Sequence, residues 1–117
     1  MITGVHALIY TKNADEVRAF FRDVLGFSSV NDGEDWLIFA LPPAELGIHP
    51  SNDKDQHELF LMCDDLRATM TQLKKKGVEF TRGVVDEGWG LATSIRLPGG
   101  GALGLYQPNH PTAIKGP

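Results

Sequence analysis

The chain has 117 residues, 42% of them hydrophobic and 22% charged, with a formal net charge of −4. That length suits one domain over 1–117 and buries roughly two-thirds of the unfolded surface without staples. The single cysteine, Cys63, excludes an internal disulfide, no apolar run approaches the ~20 residues of a membrane helix, and the scattered basic residues lack the stripe of a nucleic-acid binder.

Val5 to Thr11 is apolar and β-branched enough for a first strand. It does not read as a secretion signal, so a cytoplasmic location is expected. Asn13, with Glu16 three residues on, forms a capping-box-like helix start. Val17, Phe20, Phe21 and Val24 then follow the spacing of one buried helix face, and Gly26 is the left-handed stop. Short strands are expected at Phe27–Val30, Trp36–Leu41 and Glu45–His49, broken at Asn31-Asp32-Gly33 and Pro42-Pro43. His57 to Met62 is the next strand, with Asp64 or Asp65 as cap, Leu66, Met70 and Leu73 as the apolar stripe and Gly77 as the stop. Lys74-Lys75-Lys76 falls in the last turn of this helix, where cations suit the negative end of the dipole. Strands at Val78–Thr81, Leu91–Leu97 and Ala102–Gln107 complete the pattern, with a loop over Arg82–Gly90 and a turn at Pro98–Gly101.

The two passages match. Sliding the chain against itself by 51 residues brings His6 onto His57, Leu8 onto Leu59, Asn13 onto Asp64 and Gly26 onto Gly77. The expected architecture is α+β: two βαβββ repeats, about 4–50 and 56–108, followed by an irregular tail over 109–117. One helix covers only one face of a four-stranded sheet, so the other face must meet a second sheet or line a cavity.

The strand-opening HALIYTKN, the helix-ending VRAFFRDVLGF, the second-half HELFLMCDDLRATMTQLKKKGVEF and the closing PGGGALGLYQP together resemble the vicinal oxygen chelate superfamily, which includes glyoxalase I, extradiol dioxygenases and the fosfomycin and bleomycin resistance proteins. The resemblance runs from Val5 to about Pro108. It implies curved mixed sheets around a cavity, the glyoxalase/bleomycin resistance/dihydroxybiphenyl dioxygenase fold. It implies metal ligands on the first and last strands of each half: His6, its repeat partner His57, and Glu45, the candidate catalytic carboxylate. The fourth position falls at Gly104 or Ala102, neither of which can bind a metal, and here the chain departs from the metal-enzyme pattern. The resemblance also implies a homodimer, each cavity being built from two chains.

Strand alternation groups His6 with Leu8 and Tyr10, His57 with Leu59 and Leu61, and Glu45 with Gly47 and His49. The small apolar set Val5, Ala7 and Ile9 suits the helix, which turns His6 toward the cavity. Two imidazoles and a carboxylate suit divalent Fe, Mn, Ni or Zn acting as a Lewis acid on a substrate with adjacent oxygens, and His49 can replace Glu45 from the same face. Tyr10, Trp36, Trp89, Tyr106 and Phe39 offer flat apolar surface for a ligand without any metal. Trp89 stands in the Asp86-Glu87-Gly88-Trp89-Gly90 loop, where flanking glycines permit a lid. Arg96 is expected to face solvent, and His110 to be solvated in the tail. Cys63, beside Asp64 and Asp65, is a poor nucleophile. Pro98-Gly99-Gly100-Gly101 lacks the lysine and helix of a phosphate loop and reads as a hairpin turn.

Two functions are therefore expected in competition, beside a third, a domain serving protein contacts, which explains the repeated histidines least well. One is a metal-dependent lyase, isomerase or dioxygenase acting on a small oxygenated substrate. The other is a metal-free protein that binds an antibiotic-like or aromatic compound.

Overall fold

The structure is a computed structural model that describes residues 6–31, 37–48, 50 and 57–114. Its order is α1 (Ala14–Ala19), a π turn (Phe20–Val24), β1 (Ser29–Asn31), β2 (Leu37–Phe39), β3 (Phe60–Met62), α2 (Leu66–Lys75), β4 (Val85–Asp86), β5 (Gly90–Arg96) and β6 (Ala102–Pro108). The architecture is α+β, with helices on one side of a mixed sheet.

That sheet runs β3-β6-β5-β4. β3 lies parallel to β6, with Phe60 opposite Gly104 and Met62 opposite Tyr106. β5 and β6 pair antiparallel over their full lengths, Gly90 opposite Pro108 and Arg96 opposite Ala102. The expected Val78–Thr81 strand is reduced to a bridge between Phe80 and Ile95, flanked by hydrogen bonds from Thr81 N to Ser94 O (2.8 Å) and Arg96 N to Glu79 O (2.9 Å). The turn expected at Pro98–Gly101 is closed by Leu97 N to Gly101 O at 2.7 Å.

Leu91, Thr93, Ile95 and Leu97 alternate onto one face of the sheet with Leu103 and Leu105. Val17, Phe20, Phe21, Leu66, Met70 and Val78 complete one buried cluster there with Ile95, Leu97, Leu103 and Leu105. The π turn is what lets Phe20 and Phe21 both reach it. Leu25 N bonds to Phe20 O at 3.1 Å, so the extra residue turns two consecutive rings inward. Thr93, buried among apolar side chains, donates its hydroxyl to Arg82 O at 2.8 Å.

Both helix stops are as expected, with Gly26 at φ 74° and Gly77 at φ 86°. The helix starts differ. Asp65 accepts from Ala68 N at 3.0 Å, and Gln107 Oε1 from β6 accepts from Leu66 N at 2.9 Å, so α2 has two of its free amides satisfied. At α1 the capping box is not made, because the Asn13 side chain makes no cap bond. It lies instead against Gly99, where even a Cβ would meet it. The lysine run is exposed, and two of its members reach neighbours. Lys76 Nζ donates to Val24 O at 3.2 Å, tying the two helix ends, and Lys74 lies over the Phe80 ring.

In the first half β1 and β2 form a two-stranded antiparallel sheet, Val30 opposite Ile38. The strands expected over Val5–Thr11 and Glu45–His49 are not formed among the described residues: 6–11 and 40–48 have no regular structure. Their apolar side chains are bare, Tyr10 and Ile48 each 88% exposed. A strand without a neighbour has no ladder to hold it, whatever its β-propensity.

Candidate ligand-binding wall

The register fixes what the other face of the four-stranded sheet carries. Phe60 and Met62 from β3, Ala92 and Ser94 from β5, and Gly104 and Tyr106 from β6 point away from the helices. Small residues form a floor on which aromatic rings stand. A Cβ on Gly104 would overlap the Phe60 ring, and one on Gly90 would lie 3.0 Å from Tyr106 Cδ2 and 2.5 Å from Gln107 O. Both glycines are therefore required by space, so that Phe60 and Tyr106 can lie close to the sheet.

Phe60, Trp89 and Tyr106 meet edge-to-face, with centroids 5.9 Å apart for Phe60–Trp89, 5.6 Å for Phe60–Tyr106 and 5.2 Å for Trp89–Tyr106. Tyr106 is buried, whereas Trp89 keeps 36% of its surface exposed at the rim. The Trp89 loop is tied down. Gly88, at φ 83°, donates its N–H to Asp86 Oδ1 (2.9 Å), Glu87 N bonds to Gly90 O (2.9 Å), Asn109 N bonds to Trp89 O (2.8 Å), and Asn109 Nδ2 reaches Gly88 O (3.3 Å). Lid motion would have to break the Asn109 pair.

The tail crosses this wall. The His110 ring lies over Tyr106 at 6.1 Å and 26°, and its Nε2 is 3.2 Å from the Tyr106 hydroxyl. Nδ1 is 2.7 Å from Pro111 O, a bond it makes as donor, which leaves Nε2 to accept the tyrosine proton. His110 is thus half-buried on the wall rather than solvated. Beyond it Ala113 N and Ile114 N both donate to Glu45 Oε2, at 2.8 and 3.3 Å. Burial, and secondly the charge of Glu45, push the Tyr106 hydroxyl up from its ordinary value. The carboxylate and the ring share one environment.

The residues expected at the site fall into three groups. Trp89 and Tyr106 meet ring to ring, and Glu45 is linked to them through the tail segment that it holds. His6, His57 and Tyr10 are exposed on irregular segments, and Trp36 and His49 lie outside the described residues. Leu59 and Leu61, grouped above with His57, pack against the helix-side core, so the open face of β3 belongs to Phe60 and Met62. Phe60 and His110 were not among the expected site residues. Phe60 stands in the HELFLM run beside two leucines, and only the β3–β6 register reveals which of them faces out.

The described residues do not by themselves fit the divalent metal that the resemblance implies. Among the described residues no three His, Cys, Asp or Glu side chains come close enough to hold one. Glu45 already accepts two amides, and Phe60 closes position 104 to any side chain. Burial pushes the Cys63 thiol up, Asp64 and Asp65 add to this while a hydrogen bond with Thr69 opposes it, and its Sγ lies 3.5 Å from Tyr106 O. Arg96 is exposed beside Glu79, 3.7 Å away. No helix among the described residues is long and apolar enough to cross a membrane.

The family model described as Glyoxalase/Bleomycin resistance protein/Dioxygenase superfamily matches residues 4–105. Among solved structures the chain is similar to TnmS3, an antibiotic binding protein from Streptomyces sp. CB03234, at 23% identity and TM-score 0.66, covering 92% of this chain and 98% of that one. It is similar to a member of the same superfamily from Sphaerobacter thermophilus DSM 20745, at 24% identity, TM-score 0.65 and coverage of 91% and 98%. It is also similar to a lactoylglutathione lyase from Agrobacterium tumefaciens, at 16% identity, TM-score 0.64 and coverage of 90% and 92%. Among curated protein sequences, none matches.

Proposed function

The chain belongs to the Glyoxalase/Bleomycin resistance protein/Dioxygenase superfamily, and from that premise we propose that it binds a small planar aromatic molecule on the Phe60–Trp89–Tyr106 wall. The observation that carries this reading is the packing of three aromatic rings over a floor of Ala92, Ser94 and Gly104, on the sheet face that no helix covers. Such a surface offers a flat ligand edge-to-face contacts and removes apolar area from water. The antibiotic-binding description of TnmS3 adds support by analogy. We propose further that the active form is a homodimer. Tyr10, Leu46 and Ile48 each leave more than four-fifths of their surface bare, and a second copy is the occupant that would give the 6–11 and 40–48 segments a ladder to join.

Calorimetric titration with a panel of planar aromatics tests the binding reading. At least one compound should bind, and Trp89→Ala should weaken it about tenfold, equivalent to ~1.4 kcal/mol. Binding that ignores Trp89→Ala, or that requires added Fe(II), Mn(II), Ni(II) or Zn(II) and is lost in His6→Ala or His57→Ala, would favour metal chemistry instead. Sedimentation equilibrium tests the assembly: a dimer that Ile48→Asp converts to monomer is expected, and a monomeric wild type overturns it.

A further inference from the structure

Resting on the aromatic-wall reading, the geometry points to a ligand class: we infer that the site takes a planar heteroaromatic compound bearing N–H donors, which replaces the chain's own His110–Ile114 segment at Tyr106 and Glu45.

The segment is held like a ligand. It presents a flat heteroaromatic ring to Tyr106 and two N–H groups to one carboxylate oxygen of Glu45. Its other hydrogen bonds among the described residues are internal, His110 Nδ1 to Pro111 O at 2.7 Å and Thr112 Oγ1 to Ile114 O at 3.1 Å. Residues 111–113 are exposed, so the apolar surface that lifting the segment uncovers lies under His110, at the Tyr106 ring, and at Ile114. Its departure also uncovers Glu45, half-buried and stripped of two donors. Hydrogen bonds to an ionised carboxylate are among the stronger ones, and a partly desolvated carboxylate left without donors is costly. A compound that only stacks must pay that cost, whereas one that also presents N–H groups to Oε2 replaces what it removes. The negative charge at Glu45, with the chain's net charge of −4, disfavours anionic rings and favours amino- or amidino-substituted ones. Glu45 here is a specificity residue for ligand donors, a role that needs no metal.

Two planar probes of similar size separate the possibilities: 2-aminobenzimidazole, which carries N–H donors, and quinoline, which carries only an acceptor. Calorimetry on the full chain should give 2-aminobenzimidazole at least tenfold tighter than quinoline. Glu45→Gln should erase most of that preference, and should also tighten quinoline, because the segment that quinoline displaces is then held less firmly. His110→Ala should tighten both probes by the same factor, because it removes a competitor that keeps part of the population closed. Thermal unfolding of each variant, expected near the wild-type midpoint, checks that the fold is retained. Equal affinities that Glu45→Gln does not alter overturn the donor class and leave the aromatic wall standing. Weaker binding in His110→Ala overturns the displacement. If neither probe binds any of the three proteins, the wall reading falls, and this inference with it.

Discussion

Two regions with the same order of elements end in different states. Between Phe60 and Pro108 a strand, a helix and the strands that follow close a four-stranded sheet on a shared core. Between His6 and Ile48 the helix and two short strands form, but the flanking segments stay irregular, with Leu46 and Ile48 bare. Both regions are rich in strand-forming residues. What separates them is pairing: β6 lies between β3 and β5 and gives each a ladder, while 6–11 and 40–48 have no paired neighbour among the described residues. β-Structure is completed by its neighbours, so the strands of the second half are held by one another while the flanking segments of the first half are not.

The sharpest way to break that contrast is to remove core volume from the closed half. Ile95→Ala deletes a fully buried side chain near the end of β5 and should cost about 2–5 kcal/mol in urea unfolding. In the open half Leu46→Ala should change the stability of isolated monomer by no more than about 0.5 kcal/mol. Equal costs at the two positions would mean that the halves share one stability after all. Next comes the floor of the wall. Gly104→Ala drives a methyl group into the Phe60 ring and should cost about 1–3 kcal/mol, with Phe60→Ala recovering part of it in the double variant. Strictly additive losses would show that the ring and the glycine do not constrain each other. Smaller again, Thr93→Val keeps the shape but leaves Arg82 O without its 2.8 Å donor, and about 1–2 kcal/mol should be lost.

Local signals were the legible part. The glycine stops at Gly26 and Gly77, the Asp65 cap, the α2 stripe and the β5–β6 hairpin all follow from near-neighbour chemistry. The family pattern carried the fold class. The illegible part depended on distant partners. The face of β3 was assigned through His57, Leu59 and Leu61, yet Leu105 opposite Leu61 draws the leucines to the core and leaves Phe60 outside. With a period of two, that single choice moves every side chain to the other face. The Asn13 side chain lies against a turn more than eighty residues away and makes no cap bond, and His110 gains a ring partner that no spacing announces. Of the site, Trp89, Tyr106 and Glu45 were visible as residues, but the contact that joins them through the tail was not.

The smallest expected effect is also the most specific to the wall. Burial, and then the Glu45 charge, raise the Tyr106 hydroxyl above its ordinary value, so the folded state holds this proton more tightly than the unfolded chain does. The resulting stability is fully present below the unfolded value of about pH 10 and is lost as pH rises through the folded one. Burial raises the Cys63 thiol as well, adding a loss of the same sign that begins nearer pH 9. Urea unfolding of the Cys63→Ala protein between pH 8 and pH 11 isolates the tyrosine. Stability should stay flat to about pH 10 and then decline, Tyr106→Phe should remove the decline, and Glu45→Gln should shrink it without abolishing it, since burial is the larger cause. A decline untouched by Tyr106→Phe would place the alkaline weakness elsewhere in the chain. It would also separate the wall from the carboxylate that the tail now joins to it.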